Sequence, residues 1–393
     1  MFADKQRVGV FVIGVAAFIQ LWAIQALLPT LAVYFHESEA RVSLTISATT
    51  LAVTLMAPFI GVVADVVGRR RIIVAALFLL VAPTALIGVA QSLDQIVVLR
   101  FVQGLLLPPV FAVAVAYIGD ELPRDEVASV TAIYTTGSVL GGFLGRFLAG
   151  WIGDYGGWRA SFLILAALSL ICAVIVAVTL PREQRFVRAE GVLHSLSLMA
   201  RHFRSGNLVA TFVIGFGTLF TFVTLFTYIN FHLAAPPFRL SPGWLGSLFV
   251  SYAFGIFTTP LAGPLVARIG RRGTVAAMMI LWGVGAAVTL APNLVAIFIG
   301  LTIAACSGFI CQAISTGYVA FAAMQARSSA VGLYVTAYYL GGTLGAAVGG
   351  LVWRAGGWFG CVVLAWAVLA VMVLLALRFW REPGLVANRV RNI

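Results

Sequence analysis

Gly141-Gly142-Phe143-Leu144-Gly145-Arg146-Phe147-Leu148-Ala149-Gly150-Trp151-Ile152-Gly153-Asp154-Tyr155-Gly156-Gly157-Trp158 has an echo later in the same chain. Two hundred residues on stands Gly341-Gly342-Thr343-Leu344-Gly345-Ala346-Ala347-Val348-Gly349-Gly350-Leu351-Val352-Trp353-Arg354-Ala355-Gly356-Gly357-Trp358. Tyr134 and Tyr334 extend the match upstream. A second echo, offset by 202, pairs Pro58, Gly61, Gly68, Arg69 and Arg70 with Pro260, Gly263, Gly270, Arg271 and Arg272. A chain that repeats itself at this period is two structural units in tandem.

What the units are made of follows from hydropathy. Of the 393 residues, 62% are hydrophobic and 10% charged, with mean hydropathy +1.05, which is the composition of a chain that lives in lipid. A helix crosses the hydrocarbon core with ~20 apolar residues. Runs of that kind occupy residues 8–28, 43–64, 72–91, 95–118, 127–152, 159–180, 207–233, 243–267, 273–291, 293–318, 329–353 and 357–379. The reading is an all-α membrane protein with twelve transmembrane helices in two pseudo-symmetric six-helix bundles. Residues 1–180 form the first bundle, 181–206 an interdomain loop, and 207–393 the second bundle with a short tail. Six is even, so both units enter the membrane from the same side and are related by an axis along its normal. A β-barrel is excluded, because the runs are continuous rather than alternating.

Nineteen of the 25 basic residues fall on one side once the spans are drawn with the N-terminus in the cytoplasm; Arg41, Arg159, Arg239 and Arg354 fall on the other. That is the positive-inside bias, and it accounts for the net charge of +12 without nucleic acid. The expected place is the cell inner membrane, multi-pass, with both termini cytoplasmic, and Met1–Arg7 leads into an uncleaved first helix. Within the loop, Leu193, Leu196, Ala200 and Phe203 have the spacing of a short amphipathic helix on the anionic leaflet. Cys172, Cys306, Cys311 and Cys361 all fall within spans and form no CxxC, so neither disulfide nor metal chemistry is indicated, and no cofactor is expected. No His, Asp or Glu pair lies at depth, as a membrane-embedded enzyme would need; the chain is not expected to be an enzyme.

Gly61-Val62-Val63-Ala64-Asp65-Val66-Val67-Gly68-Arg69-Arg70-Arg71, between the second and third spans, has the form GxxxDxxGRRR. Glycines let a helix end and turn, and the arginines anchor the loop at the interface. This stretch resembles the signature loop of the major facilitator superfamily. Arg100, Gln103 and Gly104 resemble the RxxQG stretch of that family's fourth helix. Gly137, Gly141, Gly142 and Gly145 resemble the glycine-rich helix-five motif of its drug/proton antiporter branch, without the usual Gly-Pro step and with Arg146 where a small residue is commoner. The resemblance implies the major facilitator fold and transport by alternating access. It also implies a latch in which Gly61, Asp65, Gly68, Arg69 and Arg70 close the cytoplasmic side, Asp65 capping the start of helix eleven near Ser328 and Ser329.

The expected function is secondary active transport of a small molecule, as proton-coupled efflux of drug-like or amphipathic compounds. The alternative is a carrier of a small organic anion or polar metabolite without proton coupling. The expected partners are a small-molecule substrate, protons and membrane lipids, with the chain a monomer. The coupling or substrate candidates are Arg100, Gln103, Glu121 and Arg146. Arg100 and Arg146 are charges within spans, each a candidate functional group on that ground. Each has a competing expectation: for Arg100 a structural role bonded to backbone carbonyls within its own half, for Arg146 snorkelling or pairing with Asp154. All thirteen carboxylates lie at span ends or in loops, which argues against export of cations through a buried acid. The family implies that helices one, four, seven and ten line the cavity, which makes candidates of Trp22, Gln25, Thr221, Thr224, Tyr228, Asn230, Cys311 and Gln312; Tyr134 on helix five and Tyr338 on helix eleven are further cavity candidates. The glycines Gly137, Gly141, Gly142, Gly145, Gly341, Gly342 and Gly345 are expected to pack helices closely.

Overall fold

The computed structural model describes residues 2–181, 183, 202–323 and 327–380. Among them are helices and no strand. Nine continuous helices are long and apolar enough to cross a membrane. Arg124–Thr179, of 56 residues, would extend roughly 80 Å if straight, far beyond a hydrocarbon core about 30 Å thick. It folds back at Gly157, where φ is 76°. The same happens at Gly270 (φ 74°) and at Gly357 (φ 57°). Three of the nine are therefore two spans each, which makes twelve spans among the described residues.

Helix α1 runs as Phe2–Trp22, a 3-10 stretch Ala23–Leu27, and Leu28–Phe35; α2 is Glu39–Val67, α3 Arg69–Gly88 and α4 Leu93–Glu121. Helices α5 and α6 are 124–156 and 158–179, and α7 is Gly206–Ala234. Helix α8 covers 242–269, with 3-10 stretches at Leu248–Tyr252 and Thr259–Leu261, and α9 covers 271–288. Helix α10 is Leu294–Ala322, begun by Asn293, whose side chain accepts from the amides of Val295 and Ala296. Helices α11 and α12 are 327–356 and 358–379. The four glycines with positive φ, Gly68, Gly157, Gly270 and Gly357, are the two pairs that repeat in the sequence. The repeat therefore marks where the backbone must enter a region open to glycine and costly for other residues.

Close packing of α5 on α1 is set by the glycine series. A Cβ on Gly137, Gly141 or Gly145 would lie 2.4, 2.4 or 2.3 Å from the carbonyl oxygens of Phe11, Val15 and Ile19. The second unit repeats this, with Gly341 and Gly345 against the carbonyls of Phe216 and Phe220 of α7. Without side chains there, backbones touch and dispersion holds the pair where lipid offers no hydrophobic drive. Gly142 instead lends its carbonyl to Arg146, and Gly342 meets Leu219 and Thr50.

The two units meet along α2 with α11 and α5 with α8. The expected amphipathic helix at Leu193–Phe203 and the chain after Trp380 lie largely outside the described residues, as do the side chains of Gly61, Asp65, Ser328 and Ser329.

Candidate functional site

The end of the bundle that carries Gly68–Arg71 is here called the basic end. At the opposite end the two units are bonded together. Asp154 Oδ2 accepts from the Ser241 hydroxyl at 2.6 Å and from the Gly243 amide at 3.0 Å, at the start of α8. Trp151 Nε1 donates to Ser247 at 3.0 Å, and its ring lies 5.8 Å from that of Trp244. A Cβ on Gly150 would sit 2.2 Å from the Pro242 carbonyl oxygen, and one on Gly246 2.4 Å from that of Arg146. On the other seam Ser47 donates to the Thr343 carbonyl at 2.9 Å, and the hydroxyls of Thr343 and Thr50 bond at 3.0 Å.

Toward the basic end the same helix faces separate. Phe111 of α4 stacks on Tyr339 of α11 across the seam, at 5.6 Å. One and two turns further along that face, Val115 is exposed and a Cβ on Gly119 would meet nothing within 4 Å. Gly332, two turns from Tyr339, is equally open, as is Gly317 on α10. On α5 the seam face passes from Phe143 to exposed Thr136 and Ala132, and on α8 from Ser247 to Phe254, Phe257 and Leu261, all exposed. A cleft thus opens at the basic end and closes near mid-depth.

Arg146 stands at the closed end of that cleft. It precedes the Gly157 turn by three helical turns, about 15 Å, so it lies deep and only 2% exposed. Its Nε donates to Gln25 Oε1 at 2.6 Å and its Nη1 to the Gly142 carbonyl at 2.6 Å. Gln25 Nε2 in turn donates to Thr227 of the second unit at 3.1 Å. The guanidinium carbon is 5.2 Å from the Trp22 ring centre, 4.3 Å from Phe249 and 5.0 Å from Tyr252. Such stacking offsets part of the cost of a desolvated cation, by ~2 kcal/mol in the best case. Local backbone explains the convergence. Gln25 lies on the 3-10 stretch of α1, and Phe249 and Tyr252 on that of α8, where three residues per turn align positions i and i+3. The expected pairing of Arg146 with Asp154 does not form, because Asp154 is occupied at the start of α8.

Arg100 is different. It is fully buried inside the first unit, and its guanidinium donates to the carbonyls of Gln20 (2.8 Å) and Leu21 (2.6 Å) and to Gln103 Oε1 (2.7 Å). Gln103 Nε2 continues to Thr84 at 2.8 Å. These carbonyls become available where α1 changes from α to 3-10 geometry, and a cation is well placed at that helix end. Arg100 and Gln103 are thus turned from the cleft, which corrects the expectation that they serve substrate.

Several expected cavity-lining groups also point elsewhere. Thr224 donates to the Gly345 carbonyl at 3.0 Å and Tyr228 to that of Ala346 at 2.6 Å. The reason is room: a Cβ on Gly349 would lie 2.5 Å from Tyr228 Cε2, so glycines on α11 accept the ring. Asn230 donates to Phe226 of its own helix, and the Cys311 thiol faces the Val275 carbonyl of α9. Thr221 is wholly buried in the second unit, and Tyr134 donates to the Phe111 carbonyl, tying α5 to α4. Trp22 and Gln25 are in the arginine cage, Tyr338 lies half-buried beside Tyr339 at the seam, and Gln312 is half-buried on α10. Sequence reading missed Thr227, Phe249, Tyr252 and Phe111. The two aromatics at 249 and 252 carry a signal only if a 3-10 turn is assumed.

At the basic end Arg69 donates to the Ala116 carbonyl at 2.7 Å and pairs with Asp120. Arg70 donates to the carbonyls of Ala177 (2.7 Å) and Leu180 (2.6 Å), and its amide to Glu183 at 3.3 Å. These arginines close the C-terminal ends of α4 and α6, satisfying carbonyls that a helix terminus leaves free. Glu121 sits half-buried next to Asp120.

Comparison with known proteins agrees with this architecture. Residues 10–242 match the family model described as Major Facilitator Superfamily. An "Inner membrane transport protein YnfM" of Escherichia coli (strain K12) is 30% identical over 382 residues, 96% of this chain and 91% of that one. An "Uncharacterized transporter" of Buchnera aphidicola subsp. Schizaphis graminum (strain Sg) is 29% identical over 369 residues, 94% of this chain and 89% of that one. Among solved structures, a bacterial homolog to the human lysosomal transporter Spinster, in an inward-facing and unoccupied conformation, superposes with TM-score 0.79 at 17% identity, over 98% of this chain and 99% of that one. The nucleoside transporter NupG (D323A mutant) gives 0.76 at 16%, over 95% and 99%. Twelve spans in two repeated units, a cleft between them and a family match over more than half the sequence make this chain a multi-pass membrane transporter of the Major Facilitator Superfamily.

Proposed function

We propose that the chain is a secondary carrier that moves a small amphipathic organic molecule out of the cell by alternating access, in exchange for protons. Export in exchange for protons rests on the helix-five resemblance, and one observation supports alternating access: the faces that separate at the basic end are the same faces that are bonded together at the opposite end, with an aromatic-lined polar site between them. Rocking the units about that site would exchange the two arrangements. On this reading the basic end is cytoplasmic, both termini lie there, the membrane is the bacterial inner membrane, and the monomer is the working unit. Asp65 is proposed to cap the start of α11 when the basic end closes, helped by the turn at Gly68 and by Arg69 and Arg70.

A second reading, transport of an organic anion without proton coupling, is favoured by the arginine cage. Among the described residues no carboxylate accompanies Arg146. Protein in liposomes with an imposed pH gradient separates the readings: lipophilic cations, neutral drugs, sugars and organic acids are added in turn while internal pH and labelled substrate are followed. Substrate-evoked proton movement supports exchange. Substrate flux without proton movement supports the second reading. No flux of any class overturns the carrier proposal.

A further inference from the structure

Arg146 has three guanidinium nitrogens, and two are engaged: Nε by the Gln25 side chain and Nη1 by the main-chain carbonyl of Gly142. Nη2 makes no hydrogen bond among the described residues and is not one of the buried atoms left without a partner, so the one free donor of a residue only 2% exposed is also the one still open to a ligand. Aromatic rings offset the charge in part but offer that nitrogen no acceptor. The site is therefore incomplete in a way that specifies its ligand: an acceptor, negatively charged, flanked by flat apolar surface.

Resting on the carrier reading above, we propose that Arg146, with Trp22, Phe249 and Tyr252, binds the carboxylate of a small aromatic acid, and that this carboxylate displaces Gln25. A carboxylate grips a guanidinium best through two parallel hydrogen bonds. The two edges that include Nη2 are Nη2 with Nη1 and Nη2 with Nε. The Nη1 edge is blocked by a carbonyl of the arginine's own helix, which cannot leave. The Nε edge is blocked by a side chain, which can rotate away. Exchange of a neutral amide oxygen for a carboxylate replaces a weaker bond by a stronger, charge-assisted one. The ring of the acid then has Phe18, Phe111 and Tyr339 beside it, Phe18 tilted against Phe111 at 6.0 Å and Phe111 stacked on Tyr339 at 5.6 Å.

Displacement of Gln25 reaches further than the site. Its amide is what holds Thr227 of the second unit. Releasing it removes a bond across the closed end at the moment the site fills, so occupancy and opening of that end are linked through one side chain. An organic cation would meet a fixed positive charge instead and would be rejected.

The test uses full-length protein in lipid nanodiscs, with benzoate, 1-naphthoate and indole-3-acetate as probes beside their primary amides, and with benzamidine as the cationic analogue. Binding is read by calorimetry. The acids are expected to bind at least tenfold more tightly than the amides, and benzamidine not at all. Arg146→Gln is expected to abolish the preference. Arg146→Lys, which keeps the charge and loses the fork, is expected to weaken the acids about tenfold and keeps the test valid if the Gln variant does not fold. Gln25→Leu is expected to tighten the acids severalfold, since the competitor is gone. Equal binding of acid and amide, an unchanged preference in both Arg146 variants, or no binding of any of the three acids to folded protein overturns the assignment. A cysteine at Ser47, probed with an impermeant maleimide from the opposite side, reports alternation of the units. If it alternates while the acids do not bind, only this assignment fails; if it never becomes accessible, the carrier reading fails with it.

Discussion

A charged side chain inside a membrane span has two quite different uses, and the two buried arginines of this chain divide them. Arg100 is held wholly inside the first unit: Nη1 and Nη2 donate to the carbonyls of Gln20 and Leu21 and to Gln103, and its Nε is buried with no partner among the described residues. Arg146 engages Nε and Nη1 and keeps an Nη2 that is not among the buried unpartnered atoms. Replacement of Arg100 by Leu is expected to leave buried acceptors unsatisfied and to cost about 3 kcal/mol or more. In a thermal unfolding measurement in detergent this appears as a large fall in Tm and in folded yield, while the fraction that survives in liposomes transports at the parent rate. Loss of transport at normal Tm would instead place Arg100 in the transport path. Sequence alone identified both arginines as charges within spans, Arg100 without a carboxylate in its own span and Arg146 with Asp154 as a candidate partner. It could not tell them apart, because the partners of Arg100 are main-chain carbonyls exposed by a 3-10 stretch at Ala23–Leu27 that no residue type announces. The same limit explains Tyr228 and Thr224: a polar stripe on α7 is legible, but whether it faces a cleft or a neighbouring backbone depends on glycines over a hundred residues away.

At the scale of elements, glycine has two separate duties here, and substitution distinguishes them. Gly141 is a contact position, where a Cβ would lie 2.4 Å from the Val15 carbonyl oxygen and 2.7 Å from its Cα. Gly141→Val is expected to push α5 from α1 and to destabilise by about 1–3 kcal/mol, seen as a lower Tm. Gly332, by contrast, lines the open part of the cleft and a Cβ there meets nothing. Gly332→Ala is expected to raise Tm slightly, since glycine within a helix costs roughly 0.5–1 kcal/mol relative to alanine. A Gly332→Ala variant as unstable as Gly141→Val would show that the cleft is not open there. The number and order of the elements were legible because apolar runs of bilayer length are separated by glycine, proline or charge, and because the glycines at φ above zero repeat with the chain. The lengths were not. Several helices continue past the run assigned to them, as α1 does through the largely apolar residues 29–35 and α2 through Asp65 to Val67, since neither a proline at a helix start nor a charge at the interface ends a helix there.

At the scale of the whole molecule the balance is between two closures, and Asp154 is the residue on which the observed one turns. Its carboxylate holds the Ser241 hydroxyl and the Gly243 amide at the start of α8, so it acts as a helix cap donated by the other unit. Such a cap contributes about 1 kcal/mol, and it exists only while that end is closed. Asp65 is proposed to do the same at the other end, for α11. If each carboxylate stabilises one closure and not the other, removing either shifts the equilibrium by its own share, in opposite directions. Asp154→Ala is expected to raise the rate at which a cysteine placed at Ser47 is labelled from the opposite side, by about fivefold for ~1 kcal/mol. Asp65→Asn is expected to lower that rate, and the double variant to return near the parent value, because two distant caps acting on one equilibrium should add. The measurement is made on a background lacking Cys172, Cys306, Cys311 and Cys361. Shifts of the same sign from both single variants would mean that these carboxylates support the fold generally rather than one closure each, and the paired-latch account would be abandoned.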